Sequence, residues 1–300
     1  MQRQFALVLL MLVVIVPWGA AAEPRDRPVE LLVRGDDMGH SLDVNQAFIK
    51  AHTEGIVTSA SLMPPALYFD DAVARCQDHP TLCPGIHVML MATVPMRPLS
   101  PPDEVSSLIA PNGFFYRGLE DFSAAQPKIE DVEKEVRAQI KKCLGTGLRF
   151  VYLDWHMASD GGGKRPDIVA LFQRLCREYR LLYTHDAQDI DGRYSGAKYF
   201  GANLEAWGTV RLPDGKLAYW CGPDLPEKTR LKFLDTLRNL PPGTWYTVCH
   251  PGTYARRQAQ SVAVLCSQDV KDILRQRNIH LISYADLRQR QFGDKEAAAK

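Results

Sequence analysis

Residues 30–51 read ELLVRGDDMGHSLDVNQAFIKA. A short apolar run at 31–33 stops at a polar cluster. Val44, Ala47, Phe48 and Ala51 then recur at spacings of three and four, up to Gly55. That is a strand running into an amphipathic helix, with Gly55 as the stop. Two carboxylates, Asp36 and Asp37, sit side by side at the junction. Like charges in contact repel, and burial makes the repulsion worse. Solvent, a cation or a division of labour has to compensate them, unless the pair is simply a capping cluster for the helix.

Outward from this stretch the alternation continues. Strand patterns lie at 31–34, 57–63, 85–90, 150–155, 181–184, 246–249 and 280–283. Between them run helical stripes. Ile129, Val132, Val136, Ile140 and Leu144 form one, and Ile168, Leu171, Phe172, Leu175, Cys176 and Tyr179 form another, with Pro166 in its first turn. Leu231, Leu234 and Leu237 mark a third, and Val270, Ile273 and Leu274 a fourth. Repeated strand–helix units imply a parallel sheet with right-handed crossovers. The expected class is α/β, a distorted (β/α) barrel with about seven parallel strands. Two stretches interrupt the pattern. Residues 92–126 are rich in Pro and Ser and carry Phe114-Phe115-Tyr116. Residues 186–224 hold a hairpin signal, with Pro213-Asp214-Gly215 between 210–212 and 216–220. Neither repeats nor a linker composition divide the chain, so residues 23–292 are expected to form a single domain.

The 300 residues are 46% apolar, and 36 basic side chains face 35 acidic ones. That balance provides no field for nucleic acid or an anionic membrane. At the N-terminus a weakly basic start precedes an apolar run at 5–16, the small residues Gly19-Ala20-Ala21-Ala22, and polar Glu23-Pro24-Arg25. This is the pattern of a signal peptide over 1–22, cleaved after Ala22. The run is short beside the ~20 residues of a membrane span. The expectation is an exported protein, periplasmic or extracellular, with no stable membrane insertion after cleavage. Seven cysteines leave at least one unpaired, and Cys76 and Cys83 are the first candidates for a bridge. No C-x-x-C occurs, which argues against a thiolate zinc site. Residues 293–300 end in EAAAK, a common helical linker unit, and are set apart as a tail. No feature specifies an oligomeric state.

The chemistry-bearing residues fall at the strand ends. Asp36 and Asp37 follow the first strand, and His87 lies in GIHVML. Asp154 and His156 lie in YLDWHMAS, and His250 in CHPG. In a parallel barrel the strand C-termini share one face, where sites are built. Taken alone, His87 reads as a packed core histidine, Asp154–His156 as a loop pair, and HPG as a turn. Together they fit a divalent metal held by one carboxylate and two imidazoles, with a second carboxylate as general base and the remaining histidine as acid.

RGDDMGHS, GIHVML, YLDWHMAS and CHPG resemble, in order and spacing, the four motifs of the YdjC-like carbohydrate deacetylases, relatives of the NodB-type polysaccharide deacetylases. The resemblance runs from about Leu31 to Leu287. It implies the distorted barrel and a hydrolase that removes acetyl groups from N-acetylated sugars. It also implies one divalent ion, zinc or magnesium, on Asp37, His87 and His156, with Asp36 as base and His250 as acid. Where many members carry further histidines, this chain has Met157, Ala158 and Asp160, which bears on substrate contacts rather than on the metal. Gly161-Gly162-Gly163 then suggests an open loop. Trp155 is a candidate substrate contact. Trp207, Tyr219, Trp220 and the aromatics at 114–116 are candidates for stacking on sugar rings or for packing.

Rival readings are weaker. A two-histidine, one-carboxylate set also suits non-haem iron oxygenases. A glycosidase needs its carboxylates about 5–9.5 Å apart across the bond, unlike an adjacent pair. A catalytically inactive carbohydrate-binding protein, or a metal-dependent amidase of a non-sugar substrate, would keep the fold.

Overall fold

The computed structural model describes residues 27–161, 163–184, 197–200, 204, 208–211, 217–220, 224–253 and 256–293. The strands are β1 (Val29–Met38), β2 (Ser59–Leu62), β3 (Cys83–Val88), β4 (Tyr152–Trp155), β5 (Leu182–Tyr183), β6 (Lys198–Tyr199), β7 (Gly208–Arg211), β8 (Leu217–Trp220), β9 (Gly243–Cys249) and β10 (Ile279–Ile282). The α-helices are α1 (Leu42–Thr53), α2 (Phe69–Asp78), α3 (Gly118–Ala125), α4 (Ile129–Leu144), α5 (Pro166–Tyr179), α6 (Glu227–Arg238), α7 (Arg256–Leu265), α8 (Gln268–Gln276) and α9 (Tyr284–Phe292). All seven expected strand segments are present. The antiparallel hairpin β7–β8 appears where the turn signal placed it.

The main sheet is parallel, in the order β5-β4-β3-β2-β1-β9-β6, and curls into a half-barrel with helices on its convex side. Among the described residues no ladder joins β5 to β6. The expected distorted α/β barrel is therefore present in open form. β1 is its axis. One edge pairs with β9 over residues 29–35, while the other is shared, β10 taking residues 29–32 and β2 taking over from Arg34. The branch is stitched by the Tyr284 amide, which donates to Ser59 Oγ at 3.3 Å.

Strand alternation sorts side chains into two cores. Leu31, Val33, Ala60, Leu62, Ile86, Val88, Leu153 and Trp155 face the helices and join the large apolar cluster. Leu32, Cys83, Tyr152, Leu182, Tyr246, Val248 and Ile282 face inward and, with Tyr284 of α9, form a smaller one. Two glycines are required by close approach. A Cβ on Gly35 would lie 2.3 Å from the Phe48 ring, and one on Gly85 would lie 2.1 Å from the Tyr152 ring. α1 begins at Ser41, whose Oγ accepts from the Val44 amide, so the helix cap is Ser41 and not the aspartate pair. The sequence pattern shows no helix at α2, α3, α7 or α9, each short and with an apolar stripe diluted by Ala, Ser or Arg.

The expected Cys76–Cys83 bridge is absent, and both thiols are free. Cys76 faces the helix-side core beside Met38, whereas Cys83 faces the inner core, so the sheet separates them. Burial pushes each thiol up to about 12. Cys221, Trp207, residues 1–22 and the 294–300 tail lie outside the described residues, as do the side chains of Tyr219 and Trp220. No helix among the described residues is long and apolar enough to cross a membrane.

Candidate active site

The inward face changes character along the barrel. β1 presents Leu32, then Arg34, then Asp36, moving from the apolar floor to the C-terminal mouth. Arg34 is 2% exposed. Its Nε donates to Asp36 Oδ1 at 2.7 Å, and its Nη2 to Oδ2 at 3.0 Å. The same Nε lies 3.0 Å from Asp154 Oδ2, and Nη1 donates to Thr184 Oγ1 at 3.4 Å. Ser61 Oγ donates to Asp154 Oδ2 at 2.8 Å and lies 2.9 Å from the Tyr152 hydroxyl. The buried carboxylates are thus paired and hydrogen-bonded, as burial of charge demands.

Adjacent strand residues point to opposite faces, so a regular strand would separate Asp36 from Asp37. Here the β1–β2 register slips between Gly35 and Met38, and Asp37 adopts φ +74°. This local bulge cancels one alternation and brings both carboxylates to the concave side. A left-handed non-glycine residue costs of order 1–3 kcal/mol, and Asp is among the side chains that bear it best. The strain therefore sits at the site itself.

Asp37 Oδ1 lies 2.9 Å from His156 Nδ1 and 3.2 Å from His87 Nε2. The two rings meet edge to face with centroids 5.4 Å apart. The three side chains offer ligand atoms within 4.8 Å of one another. Burial would push the Asp37 carboxyl up, but the charge and hydrogen bond of His156, the hydrogen bond of His87 and the charge of His250 outweigh it. The carboxyl ends well below the usual range. For His87 burial works against the proton, but the charges of Asp154 and Asp36 and the hydrogen bonds to Asp154 and Asp37 raise its pKa well above the ordinary value.

The expected metal-site residues Asp37, His87 and His156 are therefore together, with Asp36 beside them on Arg34. His250 follows β9 and is close enough for its charge to act on Asp37. Its loop is tied to α1 through Thr253, whose amide and hydroxyl each donate to Asp43 Oδ2 at 3.2 Å. The donor set suits a divalent ion. Two imidazole nitrogens and one carboxylate oxygen converge, and His87 has its other nitrogen fixed by a carboxylate, as metal-bound histidines do.

Two expectations change. Asp154 shares a strand face with His156 but meets His87 Nδ1, at 2.9 Å, because β3 and β4 pair His87 with Asp154. Trp155, expected as a substrate contact, is buried on the helix side against Phe172 and Tyr183, with centroids at 4.8 and 6.0 Å, and packs the core. Of the glycine run at 161–163, Gly163 is exposed and Gly162 lies outside the described residues, while the segment before it is packed. Ser159, Asp160 and Gly161 are buried, Ser159 Oγ donates to His156 O at 2.7 Å, and the Gly161 amide donates to Ala158 O. Of the aromatics at 114–116, Phe115 is buried packing and Phe114 lies under the Arg97 guanidinium.

Sequence reading missed Arg34, Ser61, Tyr152 and Thr184. Only Arg34 left a visible signal, a cation two residues before Asp36 at the end of an apolar run.

Comparison with known proteins gives a consistent grouping. The sequence model described as YdjC-like protein matches residues 30–276. A carbohydrate deacetylase of Brevibacillus brevis is 28% identical over 270 residues, 86% of this chain and 100% of that protein. A carbohydrate deacetylase of Enterococcus faecalis is 28% identical over 269 residues, 86% of this chain and 98% of its own length. A crystal structure from Enterococcus faecalis V583 superposes with a TM-score of 0.68 at 24% identity, covering 87% of this chain and 99% of that one, which shows a shared fold.

Proposed function

We propose, on the premise that this chain belongs to the YdjC-like family, that it is a metal-dependent carbohydrate deacetylase that hydrolyses the acetamide of an N-acetylated sugar. The observation that carries the reading is the convergence of Asp37 Oδ1 from β1, His87 Nε2 from β3 and His156 Nδ1 from just after β4, near His250 after β9. Relatives named carbohydrate deacetylases, matched over nearly their whole length, supply the substrate class.

Asp37, His87 and His156 would hold one divalent ion, zinc or magnesium. When bound, it supplies Lewis-acid polarisation and a lowered pKa for water. Asp36 takes the proton from the attacking water. Its two contacts with Arg34 fix the carboxylate in direction, so it accepts the proton without first turning. The tetrahedral species then expels the sugar amine, which needs a proton to leave, and His250 donates it. Asp154 holds the His87 ring in one orientation. The balance is water plus amide giving acetate plus amine.

We also propose that residues 1–22 direct export, so the reaction takes place outside the cytoplasm. Cell fractionation and N-terminal sequencing of the mature protein test this, and an unprocessed cytoplasmic chain would refute it.

The test of the activity is acetate release from a panel of N-acetylated sugars, with and without chelator, alongside metal analysis. Release that stops on chelation and returns with metal supports the reading. Metal-independent release, or neither metal nor release, refutes it.

A further inference from the structure

Among the described residues, two side-chain groups have the geometry of a cation site. One is Asp37, His87 and His156. The other is Asp36, His87 and Asp154, fully buried and also with ligand atoms within 4.8 Å of one another. The second group already contains a cation. The Arg34 guanidinium places Nε 2.7 Å from Asp36 Oδ1 and 3.0 Å from Asp154 Oδ2, with Nη2 3.0 Å from Asp36 Oδ2. We infer that Arg34 is the built-in cation of a second metal-shaped cluster, and that it restricts the centre to a single metal ion.

Charge supports this. Asp36, Asp37 and Asp154 bring three negative charges, and Arg34 returns one positive charge. With neutral imidazoles the centre is left two charges negative, which a single dication cancels. Without Arg34 a single dication would leave the buried centre negative, a state that low-dielectric surroundings penalise. A carboxylate pair that loses its counter-ion in such a place takes up a proton or another cation, and with divalent metal in excess Asp36 and Asp154 offer the oxygen ligands that hard ions take. Geometry agrees, because a planar guanidinium spans two carboxylates where a small ion would sit between them. Arg34 is thus a positioning residue. It holds Asp36 off a metal and free to act on water.

The inference rests on the metal reading of the first group, and the experiment separates the two. Wild type, Arg34→Ala and Arg34→Lys are stripped, loaded with excess cobalt(II), desalted, and assayed for bound cobalt per folded chain. Wild type and Arg34→Lys should hold a single ion, whereas Arg34→Ala should take up a second. Adding Asp36→Asn to Arg34→Ala should remove that second ion and leave the first. One ion in both wild type and Arg34→Ala, or two in wild type, overturns this inference alone. No ion in either protein overturns the metal reading, and this inference with it. If Arg34→Ala does not fold by itself, cobalt should restore the fold with two ions bound, and a chain that stays unfolded at saturating cobalt overturns the inference.

Discussion

The two faces of the same strands carry opposite kinds of order. On the convex face Leu31, Val33, Leu153 and Trp155 are buried under helices by contacts that are many, weak and interchangeable. On the concave face, one residue along in each strand, Arg34, Asp36, Asp154 and Tyr152 are buried by contacts that are few, directional and shared. Removing a methyl group from the first leaves a cavity. Removing one group from the second leaves its partners charged and unpaired. The convex face therefore sets how stable the barrel is, and the concave face sets what it does.

Substitutions that act on one face and spare the other test this division. The largest effect is expected from Asp36→Asn, which should lower the acetate-release rate about 10²–10⁴-fold, the usual worth of a general base. Metal content by elemental analysis should stay at the wild-type value. Leu153→Ala should do the reverse, costing about 2–5 kcal/mol in chemical denaturation with metal affinity unchanged. A large loss of metal binding in that variant would show that the faces are coupled.

Asp154→Asn removes the carboxylate behind His87, and isothermal titration should show metal affinity about 10–100-fold weaker. pH should act on the same group. His87 holds its proton well above the ordinary histidine range, and binding an ion there expels that proton. Affinity should therefore rise roughly tenfold per pH unit below the raised pKa and weaken on acidification. A titration flat from pH 6 to 8 would remove His87 from the ligand set.

The smallest effect is expected at the rim. Arg290 bonds Glu30 through both Nη atoms at 2.7 Å, but Arg290 is half exposed. The hydrogen bond from Arg290 depresses the Glu30 carboxyl against its burial. Its contribution is present above the unfolded value and is lost as pH falls through the folded one. Arg290→Ala should cost about 0–1 kcal/mol at neutral pH, and less in acid, by thermal melts.

Much of this was written in the chain order. Apolar runs alternating with helical stripes specify a parallel α/β sheet, because period and length are local properties. His87, His156, His250 and the aspartate pair were legible because polar groups at strand ends stand out against apolar runs. What the sequence could not carry was partnership across strands. That Asp154 serves His87 and not its own neighbour His156 depends on the β3–β4 register. That Cys76 and Cys83 cannot meet depends on which side of the sheet each occupies.

The sequence by itself determined the fold class and which residue types reach the mouth, since hydrophobic period and strand position are local. Only the tertiary structure decided that Asp36 and Asp37 face the same way, through a bulge and one left-handed residue that alternation does not foretell. It also decided what compensates them. Asp36 lies on Arg34 and Asp37 lies between two imidazoles, because each charge, once buried, is stable only against the partner that the neighbouring strands bring within reach.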